Sequence, residues 1–194
     1  YILKAESPLG PFLPHSNGAV TPEEWECLDG TFYVDKNDVP YIVFCHEHTQ
    51  IIDGTICYAQ LNDKLTGMVG EAVTMFSGSS PFFIKETPDD GHFVTDGPFM
   101  FRSKTGELFM LWSTFIEKQY AECLVKFNDG ELNMNFTHLD PLIDNDGGHG
   151  MIFTSLNGQM YLSIHSPNSS SSGRVETPVF IAIREQNGTL VWAE

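Results

Sequence analysis

The chain has 194 residues, 41% of them hydrophobic and 12% aromatic, which is enough apolar material for a folded core and too much for a disordered chain. Its 10 Lys and Arg against 26 Asp and Glu give a formal charge of −16, which repels nucleic-acid phosphates and anionic lipid surfaces and leaves neutral or cationic ligands as the expected partners. No run approaches the roughly 18 apolar residues of a membrane span, and the stretch from Tyr1 to Ser7 lacks the layout of a signal peptide.

Read in chain order, Tyr1 to Glu6 and the following Ser7-Pro8-Leu9-Gly10-Pro11-Phe12 look like the end of a unit whose beginning lies upstream. Three complete units follow. The first predicts strands at Asp29 to Val34, Tyr41 to Cys45, Thr55 to Leu61 and Ala72 to Phe76, with Asp53-Gly54 read as a simple turn. The second predicts Gly97 to Arg102, Leu108 to Trp112, Ala121 to Phe127 and Phe136 to Leu139. The third predicts Met151 to Thr154, Met160 to Ile164, Val179 to Arg184 and Leu190 to Trp192, with Ser169 to Ser172 as a flexible loop. Helical periodicity is hard to find. Four short strands per unit define a propeller blade, so the expected fold is all-β, a β-propeller with about three blades plus a remnant. The unit boundaries fall at 1–20, 21–86, 87–143 and 144–194. Three blades and a remnant do not close a ring, and a second polypeptide or a further segment is expected to supply the rest.

Each complete unit opens on a polar residue beside glycine: Leu28-Asp29-Gly30, Thr95-Asp96-Gly97-Pro98 and Gly148-His149-Gly150. Asp29, Asp96 and His149 stand 67 and 53 residues apart, against roughly 40 to 50 for propeller repeats without loop insertions. Inner strands of successive blades surround one axis, so these residues are expected to converge on one pocket. Two carboxylates facing a pocket suit glycoside hydrolysis, one protonated and one tuning it. Isolated Asp-Gly pairs are usually turns, and Asp129-Gly130 reads that way. His149, exposed by its flanking glycines, is the candidate for a calcium or other cation near the pocket centre, a hydrated site rather than a full cage. Trp25, His46, Phe99, Trp112 and His165 are candidates for sugar contact, against the alternative of packing between blades. Cys27, Cys45, Cys57 and Cys123 lack C-x-x-C spacing and suggest neither a disulfide nor a zinc site.

At these residues the chain resembles glycoside hydrolase family 43. Ala5-Glu6-Ser7-Pro8-Leu9-Gly10-Pro11-Phe12 matches an A-x-S-x-x-G-P-F-like stretch, and Leu28-Asp29-Gly30 matches the Asp that tunes the acid. Asp96-Gly97-Pro98 stands in place of the E-G-P motif of the general acid, and His149 matches a G-H-G-like turn. The resemblance implies a five-bladed propeller, an inverting glycosidase acting on arabinose-, xylose- or galactose-containing polysaccharides, and a secreted or periplasmic home. Two departures stand out. The family's base lies on the first blade and has no counterpart here, so the isolated chain is expected to be inactive. Asp96 is one methylene shorter than the usual Glu, a withdrawal of about 1.5 Å. A catalytically silent carbohydrate-binding propeller and a protein-interaction propeller with an acidic face are the competing expectations.

Overall fold

The structure is a computed structural model that describes residues 1–168, 173 and 175–193; the expected loop at Ser169 to Ser172 lies outside them. Strands β1 (Leu3–Lys4) and β2 (Leu13–Pro14) pair antiparallel as a short hairpin. Three four-stranded antiparallel sheets follow, each a simple meander in chain order. The first holds β3 (Cys27–Val34), β4 (Pro40–His46), β5 (Thr55–Gln60) and β6 (Val73–Ser77). The second holds β7 (Asp96–Arg102), β8 (Leu108–Ile116), β9 (Gln119–Phe127) and β10 (Phe136–His138). The third holds β11 (Gly148–Thr154), β12 (Met160–Ser166), β13 (Thr177–Gln186) and β14 (Thr189–Trp192). These are the blades that the sequence predicts. No helix is long and apolar enough to cross a membrane among the described residues.

The two-residue alternation of a strand explains how the blades stack. In β8, Leu108, Met110 and Trp112 face the first blade and join Val43, Cys45, Ile56 and Phe76 in one core. Phe109 and Leu111, on the opposite face of the same strand, join Ile152, Leu162 and Ile183 of the third blade in another. All five of these β8 residues are fully buried. Burying such a side chain contributes roughly 1.5–3 kcal/mol, so a middle blade that is apolar on both faces holds its neighbours in place.

One helical turn escapes the sequence reading: α1 (His48–Ile51), between β4 and β5. It changes the meaning of Asp53-Gly54. Asp53 is not a plain hairpin turn but bridges Phe93, and its carboxylate accepts the Ser79 backbone N–H at 3.0 Å and the Ser79 hydroxyl. The carboxylate thus fastens the turn before β5 to the end of the first blade, while the backbone bridge to Phe93 ties the same turn to the entry of the second.

The innermost strands β3, β7 and β11 lie in contact in that order. Each begins with the same irregularity: the pairing with the next strand shifts between Leu28 and Thr31, between Asp96 and Phe99, and between Gly148 and Met151. At each bulge one residue adopts a left-handed backbone, with φ of 55° at Asp29, 51° at Gly97 and 56° at His149. Such a conformation costs a non-glycine residue about 1–2 kcal/mol. The repeated bulge re-aims the Asp29 and His149 side chains in the first and third blades, and in the second it places a glycine at the equivalent point.

Candidate active site

The register corrects one part of the sequence reading. Asp29 and His149 occupy equivalent bulge positions, but the equivalent residue of the second blade is Gly97, so Asp96 stands one position earlier. The offset has a physical use. Because Gly97 carries no side chain, the His149 ring packs directly over it, and a Cβ built there would lie 2.9 Å from His149 Cδ2. Asp29 fills the remaining side: its Oδ2 accepts the Gly97 backbone N–H at 3.0 Å and lies 3.8 Å from His149 Nε2. Residues from three blades therefore meet around one peptide unit.

Asp96, immediately before Gly97, turns toward Tyr120 of β9, whose hydroxyl donates to Asp96 Oδ2 at 2.8 Å. Burial pushes the Asp96 carboxyl above the ordinary carboxylate range; the Tyr120 hydrogen bond opposes that rise, and the nearby Asp29 charge adds to it. The Tyr120 phenol is itself pushed far up, first by burial and then by the Asp96 charge, so it remains a donor.

A second tier of side chains holds the His149 turn from beneath. Ser113 Oγ accepts the His149 backbone N–H at 2.7 Å and donates to Glu122 Oε2 at 2.9 Å, and Glu122 Oε2 also accepts the Gly150 N–H at 2.8 Å. Glu122 is wholly buried, which pushes its carboxyl up to about 8, and its Oε1 is enclosed without a hydrogen-bond partner. Gly148 and Gly150 make this tier possible, because a Cβ at either would lie 2.8 Å from Ser113 Oγ or from the Glu122 carboxyl. The sequence reading missed Ser113, Tyr120 and Glu122. The available signal was a single glutamate inside the apolar run Ala121-Glu122-Cys123-Leu124, since an unpaired acid is rarely buried there without a task.

Glu47 was also passed over. It follows β4, its backbone N–H bonds to Glu26 O at 2.9 Å, and its side chain is 11% exposed. Burial raises its carboxyl, with the charges of Asp96 and Asp29 adding and His48 opposing.

The expected sugar-contacting residues divide. His165 stays half-buried, lines an open hollow of about 370 Å³ with His149, Met151 and Glu176, stacks on Tyr120 at 5.5 Å between ring centres, and meets Asn168 Oδ1 through Nε2 at 2.7 Å. Trp25 and His46 stack on each other at 4.2 Å, with His46 buried and its Nε2 2.7 Å from Gln50 Oε1. Trp25 packs against Phe44, Cys57 and Ala59 on the face of the first blade turned away from the second. Trp112 does not fit the expectation: it has no exposed surface and packs edge-on against Phe76 at 5.0 Å in the first seam, leaving no face for a sugar. Phe99 is likewise drawn into the second seam, because the bulge turns it toward Phe109 and Leu111.

All four cysteines are free thiols. Among the described residues no group of three or more His, Cys, Asp or Glu is placed to hold a metal ion. His149 and Asp29 alone offer one nitrogen and one carboxylate, which do not make a cage, and no step below is routed through a cation.

A β-propeller whose inner strands bring carboxylates and an imidazole to one central point defines the class of the protein. The chain belongs to the glycosyl hydrolases family 43, whose family model matches residues 1–182. Among solved structures it is similar to an endo-arabinase from Bacteroides thetaiotaomicron VPI-5482, with 36% identity, a TM-score of 0.87, and coverage of 96% of this chain and 66% of that one. A thermostable family-43 glycoside hydrolase (17% identity, TM-score 0.78, 99% and 65% coverage) and an endo-1,4-beta-xylanase from the same Bacteroides strain (18%, 0.77, 98% and 65%) share the fold. The chain therefore spans just under two thirds of the length of these structures. No curated protein matches it.

Proposed function

We propose that the protein is an inverting glycosidase acting on arabinose- or xylose-containing polysaccharides, with arabinan as the first substrate to try. Family membership and the 36% identity to an endo-arabinase support the substrate class. The observation that carries the reading is the contact of Asp29 with the peptide unit that follows Asp96, which brings a carboxylate of the first blade to the inner strand of the second, 3.8 Å from His149 of the third.

In a single displacement a protonated carboxyl gives its proton to the leaving sugar oxygen while a second carboxylate, about 6.5–9.5 Å away, takes one from water. Asp96 stands where the resemblance puts the acid, and Asp29 raises the proton affinity of its neighbours and is available to sugar hydroxyls. His149 and His165 line the open hollow beside them as sugar-contacting side chains. Neither aspartate is assigned as the base, and this chain alone is inactive in this reading. A cation bound by water at His149 and a secreted or periplasmic location belong to the same proposal.

The test is hydrolysis of arabinan, xylan and the nitrophenyl arabinoside, xyloside and galactoside by the full-length protein, with release of product of inverted configuration. Absence of turnover on all of them, with sugar binding retained in calorimetry, establishes the catalytically silent carbohydrate-binding reading instead. The tie of Asp96 to Tyr120 favours that second reading, because it stabilises the ionised form of the presumed acid.

A further inference from the structure

The charges of Asp29 and Asp96 both act on a third carboxyl, that of Glu47 immediately after β4, which has no place in the proposal above. Side chains alternate along an extended segment, so Cys45 and Glu47 point to the same side. Cys45 is fully buried in the seam with the second blade, and the charges of both Asp29 and Asp96 act on its thiol. Glu47 is the next residue along that face toward the start of the inner strands, and Asp96 and Asp29 act on its carboxyl as well. Its N–H bond to Glu26 O and the short helix α1 that begins immediately after it fix the backbone there.

What each carboxyl bonds separates their roles. Asp96 Oδ2 receives the Tyr120 hydroxyl and Asp29 Oδ2 the Gly97 amide, and a donor to a carboxylate oxygen favours the charged form. Glu47 Oε1 is enclosed with no hydrogen-bond partner among the described residues, and its Oε2 lies 3.6 Å from His48 Nδ1, beyond hydrogen-bond distance. Unlike the two aspartates, Glu47 has an enclosed carboxyl oxygen that no donor reaches, and burial together with the charges of Asp96 and Asp29 raises its carboxyl against the opposing effect of His48. A carboxyl held neutral beside ionised carboxylates is the arrangement a general acid needs. Glu47 also has the methylene that Asp96 lacks.

Resting on the glycosidase reading, we propose that Glu47 is the catalytic residue that gives its proton to the leaving sugar oxygen, with Asp96 as the neighbouring charge that keeps it loaded. The balance is simple. The Glu47 O–H bond breaks as the proton moves to the glycosidic oxygen, the bond from that oxygen to the anomeric carbon breaks with its electron pair leaving on the oxygen, and water forms the new bond. The proton lost by the water goes to a carboxylate base, and Glu47, left as its anion, takes a proton from solvent.

The experiment compares two substrates of the full-length protein that share a sugar: a dinitrophenyl glycoside, whose leaving group departs without protonation, and the oligosaccharide, whose alkoxide does not. Removing a general acid costs roughly 10²- to 10⁴-fold. Glu47→Gln is expected to lose that factor in kcat on the oligosaccharide and less than about 10-fold on the dinitrophenyl glycoside, with the alkaline limb of the pH profile abolished. Glu47→Asp is expected to show the same selectivity in milder form, which keeps the test available if the amide fails to fold. Equal losses on both substrates, no loss on either, or the selective loss appearing with Asp96→Asn instead overturns the assignment of Glu47 alone. Absence of turnover by the wild-type protein overturns the glycosidase reading and this assignment with it.

Discussion

Asp29 on the first blade accepts the backbone N–H of Gly97 on the second at 3.0 Å, so a carboxylate read as catalytic also joins two blades. Asp29→Asn keeps an oxygen acceptor and removes the charge, whereas Asp29→Ala leaves the amide unpaired at a cost of about 1–3 kcal/mol. We expect both variants to lose hydrolysis, and only the alanine variant to lower the midpoint of urea unfolding.

Gly97 has φ of 51° and lies beneath the His149 ring. Gly97→Ala combines backbone strain with a Cβ 2.9 Å from His149 Cδ2, and the ring must shift. The expected result is a loss of about 1–2 kcal/mol in stability together with weaker sugar binding in calorimetry. Gly18→Ala, where nothing lies within 4 Å of the added Cβ, is the control expected to change neither.

Glu122 makes stability depend on pH in an unusual direction. Its folded carboxyl titrates at about 8 against an ordinary 4.5, so between these values the folded protein holds a proton that the unfolded chain has released. The contribution is fully present below pH 4.5 and is lost as pH rises through 8, on the order of 5 kcal/mol in all. Glu122→Gln keeps an acceptor for Ser113 and Gly150 and cannot ionise. Urea unfolding between pH 5 and 8.5 is expected to show a smaller loss of stability with rising pH in the glutamine variant than in the wild type.

His138 works in the opposite sense. It is packed among Phe76, Phe83, Trp112 and Phe136, its Nδ1 is enclosed without a partner, and burial lowers its folded titration to about 4 from 6.5. Below pH 6.5 the unfolded chain takes up a proton that the folded one refuses, so stability falls as pH drops from 6.5 toward 4. His138→Phe is expected to reduce acid sensitivity over that window, read as the difference in thermal midpoint between the two proteins.

Trp112 and His165 separate packing from sugar contact. Trp112→Phe is expected to lower stability by about 1–3 kcal/mol through the volume lost from a closed seam, while leaving the affinity for sugar unchanged in calorimetry. His165→Ala is expected to weaken sugar binding with little effect on the unfolding midpoint.

The strands were legible in the sequence because a blade is local: its apolar runs alternate, and turns such as Asn157-Gly158 and Asn187-Gly188 mark where the chain reverses. The helix α1 was not, since four residues, His48–Ile51, are too few to set up a helical period. Asp29, Asp96 and His149 could be singled out because each sits beside glycine at the opening of a unit.

What the amino-acid order determined by itself is the repeat, and with it the convergence of the inner strands on one place. Only the tertiary structure decided which atoms meet there. The offset of Asp96 from Asp29 and His149 depends on where each bulge inserts its extra residue, and the burial of Trp112 depends on the neighbouring blade. The influence of the Asp96 charge on Glu47 likewise acts between the second blade and the first. Pairing within a blade is written in nearby residues, whereas contacts between blades depend on register and twist accumulated over whole sheets, which no short stretch of sequence encodes.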